Sequence, residues 1–204
     1  MDKIKLGVLV GGTSIEREVS KKSCENLLAN LDENKYDITV YHLPADGNTE
    51  WAKNIISNPP QIVLSALHGG NGENGSIQGF LHCLNIPYIG SKVLSSAICM
   101  NKAMAKTVMK ANHIQIPDHV FVMRGVDFSQ YEESIKLMGF PLIVKPNRGG
   151  SSIGVIVARN MEDIHYGIKN IMENYDDDVL IEKFIDGKEI NCCVLQGENG
   201  PEAM

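Results

Sequence analysis

Residues 143–155 read IVKPNRGGSSIGV, from Ile143 through Lys145-Pro146-Asn147-Arg148 and Gly149-Gly150-Ser151-Ser152 to Val155. Two β-branched residues run into a lysine. A loop with an arginine, two serines and three glycines follows before a β-branched run resumes. Glycines let backbone amides approach phosphate oxygens, and serines add neutral donors. Pro146 forbids the strand-to-helix step of a Walker-type loop, and no GxxxxGK[ST] pattern occurs. Two readings stay open on this chemistry: a phosphate-binding loop, or a β-hairpin with a long polar tip.

Outward from this loop, β-branched runs predict strands over 120–123, 142–144, 155–158, 179–184 and 189–195, with helices over 131–138 and 161–173. Asp186-Gly187 reads as the turn of a hairpin joining the last two strands. Asp176-Asp177-Asp178 reads as a solvated turn, its spacing unsuited to a calcium loop. This region is α+β, with mixed or antiparallel strands.

The upstream half has another rhythm. Residues 4–10 read as a strand buried on both faces, and Gly11-Gly12 ends it. Thr13-Ser14-Ile15-Glu16 reads as a capping box, Thr13 the N-cap and Glu16 reaching back. The helix after it should turn Val19, Leu27, Leu28 and Leu31 inward. Strands at 36–43, 62–67 and 87–90 alternate with helices at 51–56 and 75–84, the pattern of a parallel sheet with right-handed crossovers. Residues 95–111 read as helical, broken near Met100-Asn101. The change of rhythm falls within 92–115, and we take 1–94 and 95–204 as two domains.

Composition narrows the function classes. The 204 residues can bury a real core, and a net charge of −6 leaves no basic footprint for nucleic acid. No apolar run is long enough to span a membrane, and the first residues lead into a strand rather than a cleavable signal. Five cysteines, odd in number and without a CxxC, read as reduced thiols of a cytoplasmic protein, with zinc not expected; adjacent Cys192-Cys193 suit alternating strand positions.

Three further segments carry chemistry. Gly11-Gly12-Thr13-Ser14, between a strand end and a helix start, reads as an anion site or as a tight turn that only needs glycine. The loop His68-Gly69-Gly70-Asn71-Gly72-Glu73-Asn74-Gly75 holds four glycines in eight residues at a strand's carboxyl end, where open α/β sheets bind ligands. Glu182 and Glu189, seven residues apart across a turn, read as a hairpin rim or as carboxylates for a nucleotide's ribose.

Together, VGGTSIEREVS (10–20), ALHGGNGENGSIQGFLHCLNIPYIGS (66–91), MNKAMAK (100–106), IVKPNRGGSSIGV (143–155) and EKFIDGKEINCCVL (182–195) resemble the D-alanine–D-alanine ligase family of the ATP-grasp superfamily, in the family's order. The resemblance implies a Rossmann-like, parallel-sheet substrate domain followed by the α+β first half of an ATP-grasp fold. It implies ATP-dependent ligation of two D-alanines through an acyl phosphate, for peptidoglycan. It places Glu16 on the ammonium of the first D-alanine, Val19 and His68 near it, and Ser151 in a hydrogen-bonded set with Glu16. Lys102, Lys145, Ser151 and Ser152 fall on the ATP phosphates, and Glu182, Lys183, Ile185 and Glu189 on the nucleoside. Gly11-Gly12 then serves the amino acid rather than a phosphate.

Homodimerisation through the N-terminal domain is a further family expectation. Asn74 and Asn101 stand where the family has aspartate, and Val157 where many members are basic. The family's magnesium ligands, oxyanion arginine and second-substrate loop belong to a half expected beyond Met204, so no metal ligand is assigned and the chain alone is expected to be inactive. The alternatives are a non-catalytic short paralogue that binds D-amino acid or nucleotide, a D-Ala–D-Ser type ligase, or an ATP-grasp ligase for another substrate.

Overall fold

Strand β1 (Ile4–Gly11) lies in the middle of a parallel sheet, between β2 (Tyr36–Leu43) and β3 (Ile62–Ser65). Leu6 pairs with Ile38 on one side and Ile62 on the other. Both faces of the sheet are covered. Leu6, Val8 and Val10 pack with Cys24 and with Leu27, Leu28 and Leu31 of helix α1 (Arg17–Asn30). Leu9 packs on the opposite face with Tyr41, Val63 and Leu81, and with Ile55 of α2 (Glu50–Ser57). The apolar stretch from Leu6 to Val10 is what such double burial demands, and Lys5 falls at the exposed start of the strand. This computed structural model describes residues 2–204; Met1 lies outside them.

The chain continues through a short helix α3 (Gly70–Glu73), α4 (Ser76–Cys83), α5 (Val93–Met100) and α6 (Lys102–Ala111). The strand expected over 87–90 shrinks to one parallel bridge, Val63 to Tyr88. The helix break falls at Asn101, whose extended backbone separates α5 from α6 and whose Oδ1 accepts from Met104 N–H at 3.0 Å.

The second core is an antiparallel sheet. Its strands are β4 (His119–Val122), β5 (Leu142–Pro146), β6 (Ile156–Ala158) and β7 (Val179–Lys183), in the order β4-β7-β5-β6. Helices α7 (Ser129–Met138) and α8 (Met161–Asn174) pack on it. Ile164, Ile168 and Ile171 line one face of α8, against Leu142, Val144 and Ile181. A separate hairpin, β8 (Val194–Gly197) with β9 (Gly200–Ala203), closes the chain.

Several expectations need correction. The hairpin across Asp186-Gly187 does not form: β7 ends at Lys183, 184–193 is irregular, and 194–197 pairs instead with 200–203. The two-residue turn at Glu198-Asn199 gives that segment a nearer partner. Cys192 and Cys193 are therefore exposed outside any strand. Thr13 is not the N-cap: α1 starts after Glu16, which makes no capping bond with its side chain. The helix turns Ser20 and Cys24 inward, leaving Val19 48% exposed. Asp177 is buried and Asp178 half-buried, so of the acidic run only Asp176 is solvated as expected.

Candidate active site

Three loops from distant parts of the chain converge at the start of α1. In the first, Ser14 Oγ accepts from the backbone N–H of Glu16 at 3.1 Å, so serine does the local capping and frees the glutamate. The Glu16 carboxylate instead accepts a hydrogen bond from Ser151 Oγ on the glycine loop. In the third loop, Gly69 lies so close that a Cβ there would run into the Glu16 carboxylate. Gly150 is nearly as close, at 3.2 Å from an ideal Cβ to Oε2. Around Glu16 opens a cleft of about 480 Å³, lined also by Gln78, Ser95, Cys99, Lys102, Gly149 and Gly150. His68 points elsewhere: its Nε2 lies 2.8 Å from Ser23 Oγ of α1, beside a smaller cavity of about 130 Å³. Val19 lines neither.

A second cleft, of about 670 Å³, lies on the other side of the glycine loop. All eight residues expected on ATP line it: Lys102, Lys145, Ser151, Ser152, Glu182, Lys183, Ile185 and Glu189. It shares Lys102, Gly149 and Gly150 with the first cleft. Lys183 offers only its stem, because its ammonium donates to the carbonyls of Met138 (2.8 Å) and Gly139 at the end of α7. Glu189 reaches the cleft from irregular chain, not from a hairpin rim.

Charge in this cleft is concentrated and paired. Glu182 is 9% exposed and takes Lys145 on Oε1 and Lys106, at 2.8 Å, on Oε2. Burial opposes its ionisation, but the hydrogen bonds and charges of Lys106 and Lys145 outweigh burial and lower its pKa. Lys102 has its pKa lowered too, which for a lysine disfavours the charged form: burial first, then the nearby Lys145 charge, lower it. It also sits at the first position of α6, where the helix dipole disfavours a cation. Its ammonium donates to the carbonyl of Gly149. A half-buried cation held only by carbonyls, next to another cation, suits an arriving anion.

Four residues of this site were not read as such from the sequence. Lys106 lies four residues after Lys102 on α6, a spacing that could have flagged it as sharing a face. Asn147 is fully buried; its Oδ1 accepts from Ala103 N–H at 2.9 Å and its carbonyl from Lys102 N–H at 3.1 Å, capping α6 from the loop. Asp177 anchors the loop, accepting from Arg148 N–H at 2.6 Å, while Asp178 accepts from Arg124 N–H at 3.0 Å. No local pattern marks these last three.

Family models meet the chain on both sides of the site. The D-ala D-ala ligase N-terminus matches residues 49–91 and the D-ala D-ala ligase C-terminus residues 108–204. This chain belongs to the D-alanine–D-alanine ligase family. A D-alanine–D-alanine ligase of Bacillus anthracis is 40% identical over 199 residues, covering 97% of this chain and 63% of the relative. D-alanine–D-alanine ligase B of Clostridium perfringens is 37% identical, with 97% and 63% covered. The chain thus spans under two thirds of the length of these relatives. A solved D-alanine–D-alanine ligase from Bacillus anthracis, complexed with ATP, superposes with a TM-score of 0.80 at 38% identity, covering 93% of this chain and 61% of that one. The VanG D-Ala:D-Ser ligase of Enterococcus faecalis gives 0.83 at 27% identity, covering 99% and 68%. The fold is therefore the α/β, ATP-grasp type of these ligases.

The departures from the ligase family pattern have local explanations. Asn74 Oδ1 accepts from Ser76 N–H at 3.0 Å ahead of α4, and Asn101 caps α6, roles that asparagine fills as well as aspartate. Val157 is 37% exposed on β6. Magnesium, which the family implies, does not fit the residues present: among the described residues no group of three or more His, Cys, Asp or Glu is placed to hold a metal ion.

Proposed function

We propose that this chain carries the first-substrate site and one wall of the nucleotide site of an ATP-dependent ligase that joins two D-alanines through an acyl phosphate. The observation that carries the reading is the junction of the two clefts. Glu16 faces one, Lys145 and Glu182 face the other, and Lys102, Gly149 and Gly150 belong to both. An amino acid whose ammonium is anchored on Glu16 can present its carboxylate toward phosphates held over Lys102 and Lys145. Positioning of this kind, with neutralisation of the phosphate charge, is the main requirement of phosphoryl transfer.

In this reading the Glu16 carboxylate binds the D-alanine ammonium, while His68, turned to Ser23, and Val19 lie outside that cleft and act on it only indirectly. Ser151 holds Glu16 and, with Ser152, turns toward the phosphates. Lys102 and Lys145 take phosphate oxygens. Glu182, the backbone and stem of Lys183, Ile185 and Glu189 take the nucleoside. A division at 94/95, homodimerisation and a cytoplasmic location belong to the same proposal.

The test is equilibrium dialysis of the folded chain against ATP. Binding that Lys145→Met abolishes supports the reading, and a folded chain that retains no nucleotide overturns it. Phosphate release from ATP, D-alanine and magnesium by the 204-residue chain is expected at background. Turnover above background would show that the residues present suffice for the chemistry.

A further inference from the structure

Glu182 meets two ammonium groups that differ in where they stand. Lys145 comes from β5, lines the nucleotide cleft, and its side chain is 21% exposed. Lys106 comes from α6, does not line the cleft, and its side chain is 11% exposed. Each lysine takes its own carboxylate oxygen, Lys145 on Oε1 and Lys106 on Oε2 at 2.8 Å. The carboxylate thus bridges one reachable cation and one inaccessible cation.

We propose that Lys106 is a positioning residue of the nucleotide cleft: a fixed counter-ion that holds the Glu182 carboxylate in place while Lys145 leaves it for a phosphate. This rests on the nucleotide reading above for Lys145 and deepens it. With Lys145 as its only partner, Glu182 would become a buried, uncompensated carboxylate whenever Lys145 moved, a costly state. That cost would be charged against nucleotide binding, because the two events would be coupled. Lys106 removes the coupling. Its own burial leaves it no other acidic partner: its ion pair with Glu182 is the one recorded among the described residues.

The groups facing Glu182 are few. Lys106 and, farther off, Lys102 come from α6, and Lys145 from β5. His119 on β4 is its cross-strand partner, with Nδ1 3.2 Å from the Pro117 carbonyl oxygen. Among these, only Lys106 is both in contact with the carboxylate and screened from the cleft.

Two measurements test the proposal. The first is the ATP dissociation constant of the chain at pH 7 for Lys106→Met and Lys106→Arg, each made alone and in a Glu182→Gln background. Lys106→Met is expected to weaken ATP by at least about tenfold alone and by less than about twofold with Glu182→Gln, with Lys106→Arg staying near wild type. An equal loss in both backgrounds, or no loss, overturns the proposal. The second needs no nucleotide: the Glu182 carboxyl is titrated by carbon-13 NMR in Lys145→Met and in the double variant Lys145→Met, Lys106→Met. Lys106 should keep the midpoint lower in the first than in the second, because its charge opposes the effect of burial. Equal midpoints overturn the proposal even if ATP binds as the site reading requires.

Discussion

Ser151 Oγ donates a hydrogen bond to Glu16 Oε1 across 135 residues of sequence, fastening the tip of the glycine loop to the head of α1. Ser151 and Ser152 both have left-handed backbones (φ 49° and 58°), a conformation that costs an L-residue about 1–2 kcal/mol. The loop is therefore held shut by tertiary partners rather than by its own preference: Glu16 at the tip and Asp177 at the base.

Removing the charge of Glu16 should separate its two roles. Glu16→Gln keeps an acceptor for Ser151 but loses the anion, so in the intact ligase kcat/KM for D-alanine should fall by about 10- to 100-fold, the usual worth of a charged hydrogen bond. Ser151→Ala should instead quicken amide hydrogen exchange over 148–154, with a stability loss of no more than about 1 kcal/mol. Wild-type kinetics for Glu16→Gln would leave the carboxylate a purely structural group.

Gly69→Ala places a methyl against the Glu16 carboxylate at a φ of +63°. It should cost about 1–2 kcal/mol in the backbone and also weaken D-alanine. Gly125→Ala is the control: its φ is +76° but nothing lies within 4 Å of the added carbon. Thermal melts should show both variants destabilised, and D-alanine titrations of the intact ligase should distinguish them.

Lys102 is a cation that the empty fold disfavours. Because its folded pKa is lowered, the folded state holds its proton less tightly than the unfolded chain does. Wild-type stability should therefore gain a contribution as pH rises toward 10.5, and Lys102→Met should lack it. At neutral pH the variant should melt no lower than wild type while losing ATP in dialysis, the exchange of stability for function expected of a binding-site charge.

Glu182 is shifted in the same direction, but here the fold favours the charged form. Its lowered folded pKa adds stability above the ordinary 4.5, and this contribution disappears as pH falls below that value toward the folded pKa. Urea unfolding of wild type between neutral pH and the acid side of 4.5 should show a steeper loss than Glu182→Gln. At neutral pH Glu182→Leu should be destabilised by about 3 kcal/mol, because two lysines lose a partner. A flat acid limb in wild type would contradict the paired-carboxylate account.

Much of the frame was legible in the residues. The 4–10 run, apolar but for Lys5, announced a strand covered on both sides, and β1 is that strand. The helix expected over 161–173 is α8 (Met161–Asn174). The eight residues assigned to ATP do meet in one cleft. The misreadings were all about partners. Thr13-to-Glu16 has a capping-box spelling, but Ser14 takes the local bond and Glu16 looks outward. Asp176-Asp177-Asp178 has the composition of a solvated turn, yet Asp177 is 6% exposed beneath the glycine loop. The Asp186-Gly187 turn lost to a nearer one at Glu198-Asn199.

The sequence by itself determined the strands and helices of the two cores, the glycine loops and the residue types of the site. These follow from hydrophobic period and turn chemistry, which act over a few neighbouring residues. Only the tertiary structure decided that Glu16 would serve the loop instead of its own helix, that Asp177 would be buried under Arg148, and that Lys106 would share Glu182 with Lys145. Those pairings join residues between 29 and 135 positions apart. At such distances no local rule selects among the acids, lysines and hydroxyls available. Packing of the two cores selects them, by bringing a few charged groups together where water is scarce and an unpaired charge is costly.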